Sequence, residues 1–231
     1  MTRSLSLFAL IAGLSLAGPV MADSFADAVT AVRRGDAAEG AVRFLALSRQ
    51  GDAFAMYNLS VLYARGLGVP QSTEQALYWA WRARLEAFPQ APALIARLTP
   101  SAGKAVRQSL YKRLGAEQAQ GGADTAARRF VRLALIEEGL AARPDRQRIY
   151  VWSAMAVALG YLPAASLRDE TLGSFTEKQA AEAEAALMQF HAEWCGGLSG
   201  TAPQICAVVA AAPQAPDAAS GDKGEGQGQG A

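Results

Sequence analysis

Shifted by 73 residues, the chain falls back on itself. Leu62 lands on Leu135, Gly66 on Gly139, Leu67 on Leu140, Trp79 on Trp152 and Ala83 on Ala156. Tyr57 meets Phe130, which keeps an aromatic ring at that place. The spacing from glycine to tryptophan is the same in both copies. Nearby shifts add to this: 77 carries Thr99 onto Thr176, and 71 carries Pro92-Ala93 onto Pro163-Ala164. Self-similarity at a fixed distance marks repeated supersecondary units, none of which buries its apolar face alone. It predicts a duplicated module, 52–119 and 126–194, preceded by one further helix pair at 24–50.

The modules read as helical. Alanine, leucine and arginine dominate, and runs of β-branched residues are scarce. Capping chemistry marks the starts: Asp36 with Glu39, Ser72 with Gln75 and Thr176 with Gln179 each pair an N-cap residue with a partner three later. Asp52 follows Gly51 at another start, and Thr99-Pro100 puts proline where its missing N–H costs nothing. Helices are predicted near 24–34, 37–49, 53–65, 73–87, 91–97, 100–119, 124–138, 145–159, 163–169 and 177–194.

Between two of them lies Gly66 to Ser72. Gly66 ends one helix, where a left-handed cap suits glycine. Gly68 relieves crowding, Val69 fills the apolar gap between the helices, Pro70 stops the first helix and Ser72 starts the second. A phosphate loop would need a preceding strand and a Lys-Ser/Thr pair after the glycines, and neither is here.

The stretch "GDAFAMYNLSVLYARGLGVPQSTEQALYWAWRARLEA" resembles a Sel-one-like repeat, an α/α relative of the tetratricopeptide repeat. The matching positions are Ala55, Tyr57, Leu59, Tyr63, Gly66, Gly68, Val69, Ala76, Trp79 and Ala83. The resemblance is specific over 52–87 and looser over 126–160, where Gly139 and Trp152 remain and Ala141-Ala142 replace the glycine-valine step. Ser60 stands where the family commonly has glycine. The resemblance implies an all-α, right-handed α/α superhelical solenoid over 23–194 that serves as an interaction scaffold.

The two ends read differently. Arg3, the apolar run Leu5–Leu16, the Gly18-Pro19 break and Val20-Met21-Ala22 form the pattern of a secretory leader cut after Ala22. About 12 apolar residues fall short of the roughly 20 a bilayer span needs, so no stable membrane insertion is expected. That places the mature chain in a bacterial periplasm or outside the cell. Cys195 and Cys206, the only cysteines, flank a Gly/Ser/Pro segment and suit a disulfide in an oxidising compartment, although pairing with another chain stays open. The segment 195–231 then runs into a Gly/Ala/Pro-rich tail with little to bury.

Each candidate site has a structural alternative. On the helix after Ser72, Ala76, Trp79, Ala80 and Ala83 share a face suited to close packing. Tyr78, Trp81, Arg82 and Leu85 share another, which reads either as a partner-binding anchor or as packing on a neighbouring helix. Between Arg97 and Arg148 there are 11 Lys/Arg against 5 Asp/Glu; from Asp169 to Glu193, 6 acids face one lysine. Arg128, Arg129 and Arg132 therefore read as a basic surface for an acidic partner, or as a solvated face complementing the acidic last helix. His191 and Cys195, at i and i+4, make only a two-ligand corner, so no metal is expected. The carboxylate pairs Glu137-Glu138, Asp169-Glu170 and Glu182/Glu184 are placed on solvent faces or helix ends.

With a net charge of +1 and no interleaving of aromatics with bases, nucleic acid is not an expected ligand. The reading is a periplasmic, non-catalytic scaffold without cofactor that binds another protein, with self-association open. The rival is an exported cell-wall or β-lactam hydrolase. Exported family members linked to such activity carry a cysteine pair in each repeat, and these repeats have none.

Overall fold

The computed structural model describes residues 24–118, 125–199 and 201–207. The expected leader and most of the expected tail lie outside the described residues. All regular structure among the described residues is helical, as the resemblance implies. The chain divides into two compact units at 101/102, inside the first copy of the expected duplicated module.

The first unit holds α1 (Phe25–Arg33), α2 (Ala37–Arg49), α3 (Ala53–Arg65), α4 (Thr73–Leu85), α5 (Ala91–Leu98) and a 3-10 turn, Thr99–Ser101. Each helix packs on the next in chain order, α3 on α4 most extensively. Side-chain oxygens set four of the starts: Ser24 accepts from the Asp27 N–H, Asp36 from Glu39, Asp52 from Ala55 and Ser72 from Gln75. Glu39 does not reach back to complete a box; it pairs with Arg34 and Arg43.

The Gly66 turn is built as its sequence suggests. Gly66 takes φ 67° as the left-handed cap of α3, and the Ser72 N–H donates to the Tyr63 carbonyl at 3.0 Å, doubling the chain back. Gly68 does more than relieve the turn. At φ 70° it lies against the first turn of α2, where a β-carbon would overlap the Ala37 carbonyl. Ser60 is fully buried and donates to the Ala76 carbonyl at 2.7 Å, so this serine ties α3 to α4.

Helix α4 is buried nearly all round. Ala76, Ala80 and Ala83 are inaccessible, and these small side chains let neighbours approach beside Trp79. Tyr78, Trp81 and Leu85 are buried as well, at 3%, 1% and 8% exposure. They are therefore not an exposed docking face. Arg82, half-buried, donates to the Tyr78 hydroxyl at 3.0 Å, while the ring of Trp81 is covered by Arg84 at 5.0 Å. An aromatic chain completes this unit: Phe25 meets Phe44 and Phe54, and Phe88 meets Phe54 and Tyr57, with centroids 4.9–6.0 Å apart.

The second unit holds α6 (Lys104–Glu117), α7 (Ala126–Leu140), α8 (Arg146–Ala158), a 3-10 turn at Leu162–Ala164, α9 (Ala165–Gly173) and α10 (Glu177–Gly196). Helix α8 is central, packing on α7, α9 and α10, and α6 packs on α7. Starts of α3 and α7 (53, 126), α4 and α8 (73, 146), and α6 and α10 (104, 177) each differ by 73 residues. Thr176 caps α10 with a reciprocal box through Gln179. On α10, Glu177, Lys178, Glu182 and Glu184 are exposed, while Leu187, Phe190 and Trp194 pack against Phe130, Met155 and Ala156.

Local readings are corrected in three places. Thr99 opens no helix: it follows α5, its hydroxyl donates to the Ile95 carbonyl, and α6 starts only at Lys104. The 77-residue correspondence with Thr176 thus fails, and Pro100 sits in the 3-10 turn. Gly139 is helical, because α7 runs to Leu140 and closes on an extended Ala141, so it does not repeat the job of Gly66. Glu137 is buried at 3% exposure, against the expectation of a solvent face.

A cation-rimmed hollow in the second unit

The buried carboxylate of Glu137 lies at a hollow of about 610 Å³ in this unit. Its partners come from three elements. The Tyr111 hydroxyl of α6 donates to one carboxylate oxygen at 2.6 Å, and Arg148 of α8 approaches the same oxygen at 3.4 Å. The Asp145 N–H donates to the other oxygen at 3.0 Å. Asp145 in turn caps α8 by accepting from the Arg148 N–H at 3.0 Å. A carboxylate removed from water needs such donors, so Glu137 fixes α6, α7 and the start of α8 around itself.

The floor is thus satisfied, and the arrangement shifts the phenol beside it. The hydrogen bond to Glu137, then burial, holds the Tyr111 hydroxyl above the ordinary tyrosine range. It remains a donor throughout the neutral range.

The rim has the opposite character. Helix α6 supplies Lys104, Arg107, Gln108, Tyr111 and Lys112, at i, i+3, i+4, i+7 and i+8, which is one helical face. The α7–α8 loop adds Arg143, with Leu140, Ala141 and Ala142 as an apolar strip. Lys104, Arg107, Lys112 and Arg143 are exposed and have no acidic partner among the described residues. Five cationic side chains line the hollow against two carboxylates, and both carboxylates already have partners. A concave site with an excess of unpaired cations and an apolar strip suits an anionic, partly apolar ligand.

The candidate cations of the sequence and those of the hollow lie on different helices. Arg128, Arg129 and Arg132 all lie on α7 outside the hollow. Arg128 is exposed, whereas Arg129 and Arg132 are half-buried and the Arg129 guanidinium stacks 5.5 Å from the Phe130 ring. The α6 face was overlooked because the helical period there is carried by charges; a scan for cations at i, i+3 and i+8 would have found it.

The cysteine expectation has its counterpart in the structure: Cys195 and Cys206 are joined, with Cα atoms 5.5 Å apart. No helix among the described residues is long and apolar enough to cross a membrane.

The class of molecule defined so far is an array of consecutive helix pairs carrying a cation-rimmed hollow. No protein-family model matches the chain, and neither does any curated protein. Among solved structures, it is similar to a protective antigen present in uropathogenic Escherichia coli strains and displaying an SLR fold, at 18% identity and a TM-score of 0.34. That similarity covers 86% of this chain, which spans 50% of the antigen's chain. An overlay this loose adds nothing to what the helices show by themselves.

Proposed function

We propose that the chain is an exported, non-catalytic scaffold of the Sel-one-like kind, binding another protein through the hollow of its second unit. The observation that carries this is the pairing pattern: both carboxylates in the hollow are engaged, while four cations on its rim are not. Unpaired cations around a preformed concavity favour an acidic segment of a partner, steer its approach and set its register. The apolar strip of Leu140, Ala141 and Ala142 takes up an aliphatic side chain between the acids. Tyr78, Trp81 and Leu85 drop out of the binding reading because they are buried, and half-buried Arg82 is engaged with the Tyr78 hydroxyl. Arg128 is retained as an outlying contact for a longer acidic partner.

The hydrolase reading has no support in the hollow, where Glu137 is held by donors on both oxygens and no serine, histidine or cysteine is among the described residues that line the wall. Export is supported by the leader pattern at the start of the sequence; mass measurement of the processed N-terminus in fractionated cells tests it.

Site-specific photo-crosslinking in cells tests the binding reading. A crosslinker replacing Arg107 should capture a partner through an Asp/Glu-rich peptide, and one replacing Glu182 on α10 should not. Equal capture from both positions, or a basic captured peptide, would contradict the proposal.

A further inference from the structure

Helix α10 carries His191 and Cys195 one turn apart, and the turn after Pro203 returns Cys206 to the same place. One ligand atom from each lies within 4.8 Å of the others, the one such group among the described residues. The sequence offered two ligands here; the fold supplies a third. A second observation singles out the histidine. Its Nε2 is sealed from solvent and has no hydrogen-bond partner, unusual for a ring nitrogen at a packed helix end.

The disulfide, while intact, uses both sulfurs and leaves no thiolate. We propose that its reduction converts His191, Cys195 and Cys206 into a zinc site, so that disulfide and metal exclude one another. The chemistry balances with a dithiol as reductant. One of its thiolates attacks a cysteine sulfur, the S–S bond breaks, and a mixed disulfide forms. The second thiol of the reductant resolves that bond and leaves as its own disulfide, so two electrons and two protons pass to the cysteines. Zinc then displaces both thiol protons, and the imidazole binds as the neutral ligand. Two thiolates and one imidazole neutralise Zn²⁺, and water takes the open fourth position.

The geometry is within reach. Tetrahedral zinc with Zn–S near 2.3 Å and Zn–N near 2.0 Å sets ligand atoms about 3.5–3.8 Å apart. The present spread of up to 4.8 Å closes by roughly an ångström as the sulfurs part. The movement is confined to the turn carrying Cys206 and to side-chain rotation on α10.

Cobalt(II) titration of the full chain tests this, with a phosphine reductant that cannot itself supply thiol ligands. The reduced chain should bind one Co²⁺ with thiolate-to-metal charge-transfer absorption, and Zn²⁺ should displace it. The oxidised chain should show no such absorption. His191→Ala should weaken binding by more than roughly tenfold while leaving the thiolate bands; His191→Gln replaces it if the alanine variant does not fold. The assignment is overturned if the reduced chain binds no more tightly than a Cys195→Ser/Cys206→Ser variant, or if removing the imidazole leaves affinity unchanged.

Discussion

At the residue scale, the Glu137–Tyr111 contact links stability to pH. Tyr111→Phe removes a donor from a buried carboxylate and is expected to cost about 1–3 kcal/mol in denaturant unfolding. Because the phenol pKa is raised in the folded chain, its contribution is complete below the unfolded value near 10 and fades as pH rises through the folded value. Wild type should therefore lose stability above about pH 10 more steeply than the phenylalanine variant, measured as unfolding free energy against pH. The carboxylate was misplaced in the sequence for a physical reason: its burial depends on Tyr111, 26 residues away, and no local pattern carries that partnership. Gly68 was legible as a turn residue, but its approach to Ala37 was not. Gly68→Ala should cost at least about 2 kcal/mol, the left-handed penalty of roughly 1–2 plus the backbone overlap, read as a lower denaturant midpoint with unchanged slope.

At the element scale, helix positions were legible because their signals are local. Asp36, Asp52, Ser72 and Thr176 all cap through their own side chains at the expected places. Lengths and faces were less legible. Helix α7 outlasts α3 by two residues, which carries Gly139 inside it, and α4 is buried on both of the faces that its pattern distinguished. Trp81→Ala consequently empties a large, fully enclosed site and should cost about 3–5 kcal/mol, with a clear fall in melting temperature. A variant melting like the wild type would return Trp81 to a surface role. The α6 face shows the complementary blind spot. Periodicity is normally searched among apolar residues, and here the stripe at 104, 107, 108, 111 and 112 is polar.

At the scale of the whole chain, the two units of packed helix pairs differ in character. The first invests in aromatic and alanine packing around α4; the second places a polar tie at the root of an open hollow and keeps the surrounding cations unpaired. The proposed binding role of the second unit rests on that contrast. Fluorescence anisotropy with a labelled glutamate-rich peptide, against the chain and its Arg107→Glu/Lys112→Glu variant at low and raised salt, tests it most directly. Saturable binding that weakens with salt and falls about tenfold or more on charge reversal is the predicted result. Equal affinity of the two chains for the peptide, or preference for a lysine-rich one, would contradict it.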